Sequence, residues 1–562
     1  MTSGIQTDAA ALNELAEYMT TSLNIEDVME RIVDYVDREV PDRRLTAEIL
    51  REILNKSPSE SLPSSDGIAV IDAFSVPRVS FDPVRRMFYA TPGKPSVFGS
   101  IESKIQLYKS RYHMILQRLS RNPSFRSLVE LKSLLGRFNE PAIVCGFLSQ
   151  PQPDEFALED LSARVRLDLA EAEPADGYFT ENSIVVAEGT LTASNVFRVS
   201  ALGLPPAEPT AQALRALAGL DTFGAADLAP QQQAAWAAAH PADRVVMLSD
   251  VWLDCEALLV RLQRVLMGYA ACGSPPSCVA LAGNFLSPPA RRKNAAPELL
   301  VAGMARLAKV LDAVPELRAA TQFVVIPGPE DIGPSLSLPR PPLMPSLAAP
   351  LTAAHPNVRL GSNPCRARVG DRRVVFFRAD LASLVAPMAL IPPGEAGAGA
   401  EAAGRASGSE EEGSVPASLA RERGSPVDEA FRHLVASVMQ QAHLCPVPLE
   451  VAPVVWEHDQ ALHLYPAPDA LFLADCTPAA EHLFDACVCI NPGPFYENSF
   501  GAYNVAERVA ELCDVPENEF ELASDDGRTT EEVEDQPSYE TLDLVVEPMA
   551  ATHDMVYDLI DT

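Results

Sequence analysis

The spacing of apolar residues changes character twice along the chain. Over the first sixty residues it has the period of a helix. "IEDVMERIVDYVDREV" sets Ile25, Val28, Met29, Ile32, Val33 and Val36 at i, i+3, i+4 intervals, with Asn24 placed to cap the first turn, and "LTAEILREIL" repeats the pattern. Residues 1–60 are therefore expected to form an N-terminal helical domain. "SPSESLPSSDG" has the composition of a linker. Residues 61–122 are expected to continue it through a short strand-like segment, "IAVIDAFSVPRVSFDP", and a basic amphipathic helix, "ESKIQLYKSRYHMILQRLSRN". Across residues 123–212 the period falls to two. Apolar runs such as "AIVCGFLSQ", "SIVVAEGTLTA" and "NVFRVSALGLP" are split by turn residues, and "SARVRLDL" alternates, with Ala163, Val165, Leu167 and Leu169 on one face. Several short strands without a long helix predict a small β-barrel of the OB-fold kind.

After a linker over 213–240, the pattern becomes buried strand, loop, helix. "RVVMLSD" precedes the helical "LDCEALLVRLQRVLMGYA", "SCVALAGNF" precedes "APELLVAGMARLAKVLDAVPEL", and "TQFVVIPGPED" follows; "RVVFFRADL", "LHLYPAPDALFLAD" and "ACVCINPGPF" continue the sheet. Uninterrupted apolar strands imply a sheet covered on both faces. Functional residues in such sheets stand just beyond the strand C-termini, where Asp250, Asn284 and Asp331 fall. This α/β domain is expected over 241–391 and 429–512. The Gly/Ala/Ser/Glu-rich stretch 392–428 between them, and the acidic tail 513–562, are expected to be disordered by composition.

Charge narrows the function. A formal net charge of -33 argues against a surface that grips duplex nucleic acid throughout. The exception is the basic helix, where Lys104, Lys109, Arg111, Arg118 and Arg121 are candidates for phosphate contact, although a solvated helix face between domains is the favoured reading. The barrel strands offer Phe156 and Phe197 as the few aromatics on which a single strand would stack. The ten cysteines form no CxxC, the closest pair being Cys487 and Cys489, which points to reduced, buried thiols rather than a zinc ribbon. The N-terminus has no basic-then-apolar leader pattern, and no apolar run reaches the ~20 residues that span a membrane.

The chemistry worth testing lies at the strand ends. A two-metal phosphoesterase needs oxygen and imidazole ligands that hold two ions ~3.5–4 Å apart, ordinarily as DxH, GDxxD, GNHD or GNHE, a lone His and GHxH. Here "SDVW" keeps Asp250 but has Trp252 at the histidine position, and an indole only donates. "AGNFLS" puts Asn284 in the place of the bridging aspartate. "PGPED" has Pro329 and Glu330, followed by Asp331, where Asn and His belong, and "YPAPD" sets Pro466 and Pro468 in the GHxH place. The favoured reading is a phosphoesterase sheet whose strand-end residues serve turns rather than metals. The rival is a cryptic metal-dependent phosphodiesterase or nuclease with an all-carboxylate set of Asp250, Glu330, Asp331 and Asp469. No GxSxG is present, and nothing in the sequence brings Cys255 together with His240 or His433.

"LSDVWLD", "GNFLS", "FVVIPGPEDIGPSLSLPRPPL", "SNPCR", "YPAPDALFLAD" and "CINPGPF", with "FALEDLSARVRLDLAEA" and "VVAEGTL" in the barrel region, resemble the B-subunit family of eukaryotic replicative DNA polymerases, in particular its polymerase epsilon branch. The resemblance covers roughly residues 10–510, leaving 392–426 and the tail without counterpart. It implies a multidomain α+β protein: an N-terminal helical domain similar to the lid of AAA+ ATPases, an OB-fold barrel, and a calcineurin-like phosphoesterase sandwich lacking metal ligands. It also implies a nuclear accessory subunit with no catalytic residues, metal or cofactor. Such a subunit would hold the C-terminal zinc-binding region of the polymerase epsilon catalytic subunit. It would reach replicative helicase components through its N-terminal domain, touch DNA indirectly or weakly, and avoid membranes.

Overall fold

In the computed structural model, the described residues are 67–515 apart from 154, 226–227, 229, 334–336, 392 and 394–424, together with 6–7 and 44–45. The helical domain expected over 1–60, most of the insertion and the tail beyond 515 lie outside them.

The first full strand, β1 (Ile68–Asp72), was expected in a linker but belongs to a distant sheet, where it pairs antiparallel with Cys365–Val369. A hairpin, Val79–Asp82 with Met87–Ala90, leads to helix α1 (Ile101–Arg121), which Ser100 and Ser103 begin with reciprocal side-chain caps. The five longer strands of a seven-stranded sheet follow: β2 (Pro141–Gln152), β3 (Glu155–Glu159), β4 (Arg164–Asp168), β5 (Ile184–Leu191) and β6 (Val196–Gly203). Each pairs with two of the others, in the cyclic order β2–β3–β4–β6–β5, so the sheet closes on itself. The alternation seen in the sequence points Leu148, Leu158, Leu167, Val185 and Phe197 into the closed core.

The remaining chain builds two six-stranded sheets. The first is formed by β7 (Arg244–Leu248), β8 (Cys278–Ala282), β9 (Gln322–Ile326) and β10 (Val358–Leu360), all parallel. The second contains β11 (Cys365–Val369), β12 (Arg372–Arg378), β13 (Ala470–Ala474), β14 (Ala480–Phe484), β15 (Cys487–Asn491) and β1 at one edge. The hairpin β16 (Ser499–Asn504) and β17 (Val509–Asp514) returns to extend the first sheet beside β7. The inner faces meet through Val245, Met247, Val324, Ile326, Phe376, Phe472 and Ile490. Helices α2 (Glu256–Ala271), α3 (Ala296–Asp312) and α4 (Pro345–Ala354) cover the outer face of the first sheet, and α5 (Pro426–Gln441) covers that of the second. Burial on both faces explains why these strands read as continuous apolar runs.

Three expected boundaries move. Residues 425–428 belong to α5 rather than the insertion, because Ser425 and Asp428 cap its first turn reciprocally. Residues 513–514 belong to β17 rather than the tail. The linker expected over 213–240 holds most of one helix, Thr210–Leu217, and a second, Pro230–Ala239.

The basic helix α1 is not a solvated face. Tyr112 donates to the Cys145 carbonyl of the barrel at 3.0 Å, while the buried Arg118 donates to Pro205 O and Gln440 O at 2.8 and 2.6 Å. Arg121 grips Glu208, and Arg111 grips Asp459. Three of the five candidate phosphate contacts are thus spent on joining barrel and sandwich. Phe197 is fully buried and presents no stacking face, and Phe156 is partly buried against the barrel core.

Candidate functional site

The parallel strands β7, β8 and β9 end side by side, so their first loop residues converge by topology. Asp250 follows β7 in the left-handed conformation (φ 56°) and is 3% exposed. Ser249 Oγ donates to its Oδ2 at 3.0 Å; the Asn284 backbone N–H and Nδ2 donate to its Oδ1 at 3.2 and 3.1 Å. Asn284 Oδ1 in turn accepts the Glu330 N–H at 2.8 Å. Asp331 is chelated by backbone, Phe285 N–H on Oδ1 and Gly328 N–H on Oδ2, both at 2.8 Å. Burial pushes its carboxyl up to about 6, against the pull of those two donors and of Arg340. A Cβ on Gly283 would lie 1.8 Å from Asp331 Oδ2, so the close approach requires glycine there. Pro329 accepts from Arg340 through its carbonyl at 2.9 Å. The Glu330 side chain points outward, 64% exposed, and pairs with Arg291. Trp252 stacks on Tyr496 (4.4 Å between centroids, 20° between planes) and packs against the outer core of the first sheet.

Pro466 and Pro468 are not part of this cluster. They precede β13, whose residues Ala470 to Ala474 run parallel to Val374 to Arg378, so the prolines sit at the opposite end of the sheet. They line a small cleft with Phe223 and Arg366. Asp469 also stands at that far end, its Oδ2 accepting the Arg373 N–H at 2.9 Å. The groups that do converge with Asp250 are Arg378, the last residue of β12, with Asp380 just beyond it, and Asp475 and Cys476 after β13. Their signal was in the sequence: "VVFFRAD" and "ALFLADC" are apolar runs ending in polar residues, as "VVMLSD" is.

Arg378 is 1% exposed and dominates the site. Its Nη2 is 3.1 Å from Asp250 Oδ1 and 3.0 Å from Oδ2; Nη1 donates to Asp380 Oδ1 at 2.6 Å, and Nε to the Gly283 carbonyl at 3.2 Å. Burial alone would lower the guanidinium pKa, but Asp250 and Asp380 outweigh it and raise it. Asp475 accepts the N–H groups of Ala382 and Thr477 at 2.8 and 3.0 Å, and burial raises its carboxyl. Ligand-type atoms of Asp380, Asp475 and Cys476 lie within 4.8 Å of one another. The Cys476 thiol is pushed up to about 12, by burial first and then by Asp380 and Asp475, so it is protonated at neutral pH.

A second cluster, away from the strand ends, centres on Asp459. Arg111 binds both carboxylate oxygens, with Nε to Oδ2 at 3.0 Å. His443 Nε2 is 3.2 Å from Oδ1, and His463 Nε2 is 3.0 Å from Oδ2. His443 Nδ1 lies against the Cys445 backbone, 3.1 Å from its N–H and 3.0 Å from its carbonyl oxygen, while Nε2 faces Asp459. Burial, with Arg111 adding to it, holds His443 down to about 4. Burial would raise Asp459, but Arg111 and His443 prevail and hold it well below the usual carboxylate range.

Among the described residues no helix is long and apolar enough to cross a membrane. A family profile for the B subunit of DNA polymerases alpha and epsilon matches residues 245–481, and one for the OB-fold domain of proteins like DNA polymerase epsilon subunit 2 matches residues 101–206. The second match includes α1 with the barrel, in keeping with its packing. The DNA polymerase epsilon B subunit of Arabidopsis thaliana is 32% identical over 510 residues, covering 86% of this chain and 91% of that one. DNA polymerase epsilon subunit 2 of Homo sapiens is 28% identical over 520 residues, covering 87% and 92%. Among solved structures, an archaeal phosphodiesterase is 9% identical, covering 48% of this chain and 99% of that one at a TM-score of 0.23. An overlap that small carries no argument.

Proposed function

Because the chain belongs to the B-subunit family of DNA polymerase epsilon, we propose that it serves chromosomal DNA replication in the nucleus as a non-catalytic accessory subunit. The barrel and sandwich, keyed together by α1, form the body that holds the C-terminal zinc-binding region of the catalytic subunit. The N-terminal domain links the complex to replicative helicase components, and the sandwich is a phosphoesterase fold without its metal ligands.

The observation that carries the non-catalytic reading is the state of Asp250. A two-metal phosphoesterase needs strand-end carboxylates free to clamp two divalent ions. Asp250 is already held by Arg378 and the Asn284 amide, and Asp331 by two backbone N–H groups. Glu330 faces outward and Asp469 stands at the other end of the sheet. These groups do not fit a metal pair, and no step of phosphate-ester hydrolysis is assigned to them.

Co-expression of the full chain with the catalytic subunit tests both halves of the proposal. The two are expected to purify as one complex that needs the catalytic subunit's C-terminal region. A phosphodiesterase assay with Mn²⁺ is expected to give the same background for the wild type and Asp250→Asn. Mn²⁺-dependent turnover abolished by Asp250→Asn would overturn the non-catalytic reading in favour of an all-carboxylate enzyme.

A further inference from the structure

We infer that the Arg378 guanidinium stands in for a divalent cation, closing the strand-end cluster as a permanent, covalently supplied counter-ion that ties the two sheets together. The inference rests on the non-catalytic reading and can fail separately from it.

The donor set around Arg378 is made of oxygen. Both carboxylate oxygens of Asp250, Asp380 Oδ1 and the Gly283 carbonyl lie within hydrogen-bond reach, and the Ala474 carbonyl is 3.5 Å from Nη1. Hard divalent cations choose such a set: carboxylates and carbonyls converging on one point. These oxygens come from the ends of four strands. Asp250 and Gly283 follow β7 and β8 of the first sheet; Asp380 and Ala474 belong to the ends of β12 and β13 of the second. A cation there joins the two halves of the sandwich at their shared rim. A guanidinium suits the task without an ion supply, because it stays charged at every accessible pH and presents five N–H donors in a rigid plane. Its single charge also leaves it unable to activate water or a phosphate ester as two metals do. The same residue therefore joins the two strand-end rims and leaves the site without the charge that the reaction needs.

The consequence is specific: without the guanidinium, the cluster becomes a vacancy lined by Asp250, Asp380, Asp475 and two carbonyls, which should accept Mn²⁺. The full chain, co-purified with its catalytic subunit, is compared as wild type and Arg378→Ala by thermal melting with and without Mn²⁺, and by electron paramagnetic resonance of bound Mn²⁺. The wild type is expected to melt at the same temperature with or without Mn²⁺. Arg378→Ala is expected to melt lower, to recover several degrees with Mn²⁺, and to lose that recovery when Asp250→Ala is added. A folded Arg378→Ala protein that neither binds Mn²⁺ nor gains melting temperature from it would overturn the inference while leaving the non-catalytic reading intact. Mn²⁺-dependent turnover by the wild type would instead remove the reading beneath it.

Should Arg378→Ala fail to fold, the pair Arg378→Met and Asp250→Asn supplies the test. Removing cation and carboxylate charge together is expected to lower the melting temperature by less than the sum of the two single changes. Additive losses would show that Arg378 is a packing residue only.

Discussion

The cluster around Arg378 and the cluster around Arg111 are built from the same pair, a guanidinium closing on buried carboxylate, yet they do different work. Arg378 has one of its partners, Asp380, close by in sequence and receives the rest from neighbouring strand ends, so the sheet topology assembles the group. Arg111 reaches Asp459 across 348 positions, from a helix that packs on the barrel to a turn of the sandwich. The first seals an edge within one domain; the second fastens one domain to another. They also differ in what surrounds the carboxylate. The strand-end group is made of acids, an amide, a hydroxyl, a thiol and backbone, whereas Asp459 is flanked by two imidazoles. One cluster is therefore indifferent to histidine titration, and the other is governed by it.

The largest expected effect comes from breaking the inter-domain pair. Asp459→Ala leaves Arg111 buried without its counter-charge and deprives both histidines of their acceptor; removal of one partner from such a pair costs about 3–5 kcal/mol. A fall in melting temperature, with faster proteolysis between barrel and sandwich, is the expected result. An unchanged melting profile would mean that the Arg111–Asp459 pair adds nothing to what apolar packing and the Arg118 and Arg121 contacts already supply.

Acid separates the clusters by sign. His443 is held down to about 4 in the folded protein, against 6.5 as its ordinary value. The stability contributed by its neutral form is complete above pH ~6.5 and is lost as pH falls toward 4, on the order of 3 kcal/mol at the limit. Asp331 has the opposite displacement, up to about 6 from 3.8. Its contribution is present below pH ~4 and is lost as pH rises through 6. Between pH 7 and 5, acidification should therefore favour the strand ends and disfavour the Asp459 group. Melting curves of His443→Gln over that range are expected to lose less stability with acid than the wild type. Superimposable pH profiles would remove His443 from the account.

A smaller loss is expected from Trp252→Ala. Its ring stacks on Tyr496 and packs against the helical face of the first sheet, and it is only partly buried. Truncation should cost about 2 kcal/mol, short of the full range for a buried aromatic. The loss should be the same with or without Mn²⁺, which distinguishes packing above the cluster from charge within it.

These contrasts also explain what could be read from the sequence. The convergence of Asp250, Asn284 and Asp331 was legible, because parallel strands recognisable as apolar runs must end together. Arg378 and Asp475 end equally recognisable runs, but a search guided by metal ligands passes over an arginine. Pro466 and Pro468 were misplaced because the strand starts after them, at Ala470, and a motif carries no mark of which strand end it occupies. Arg111, Arg118 and Arg121 read as a basic face because their partners, Asp459, the Pro205 and Gln440 carbonyls and Glu208, are set by tertiary packing alone. Periodicity reports that a helix has a charged side. It does not report that another domain supplies the acid.

The smallest expected effect isolates burial as the cause of all the others. Arg166 and Glu155 pair across adjacent barrel strands with Nε 2.7 Å from Oε1, a contact as close as those inside the clusters. Here, however, the arginine side chain is 67% exposed and water competes for both charges. Exposed pairs of this kind are worth about 0–1 kcal/mol and weaken with salt. Glu155→Gln is expected to leave the melting temperature within about a degree or two of wild type, and ~0.5 M NaCl should erase what difference there is. If Glu155→Gln were as damaging as Asp459→Ala, distance rather than desolvation would set the strength of these pairs. The clusters around Arg378 and Arg111 would then owe nothing to being buried.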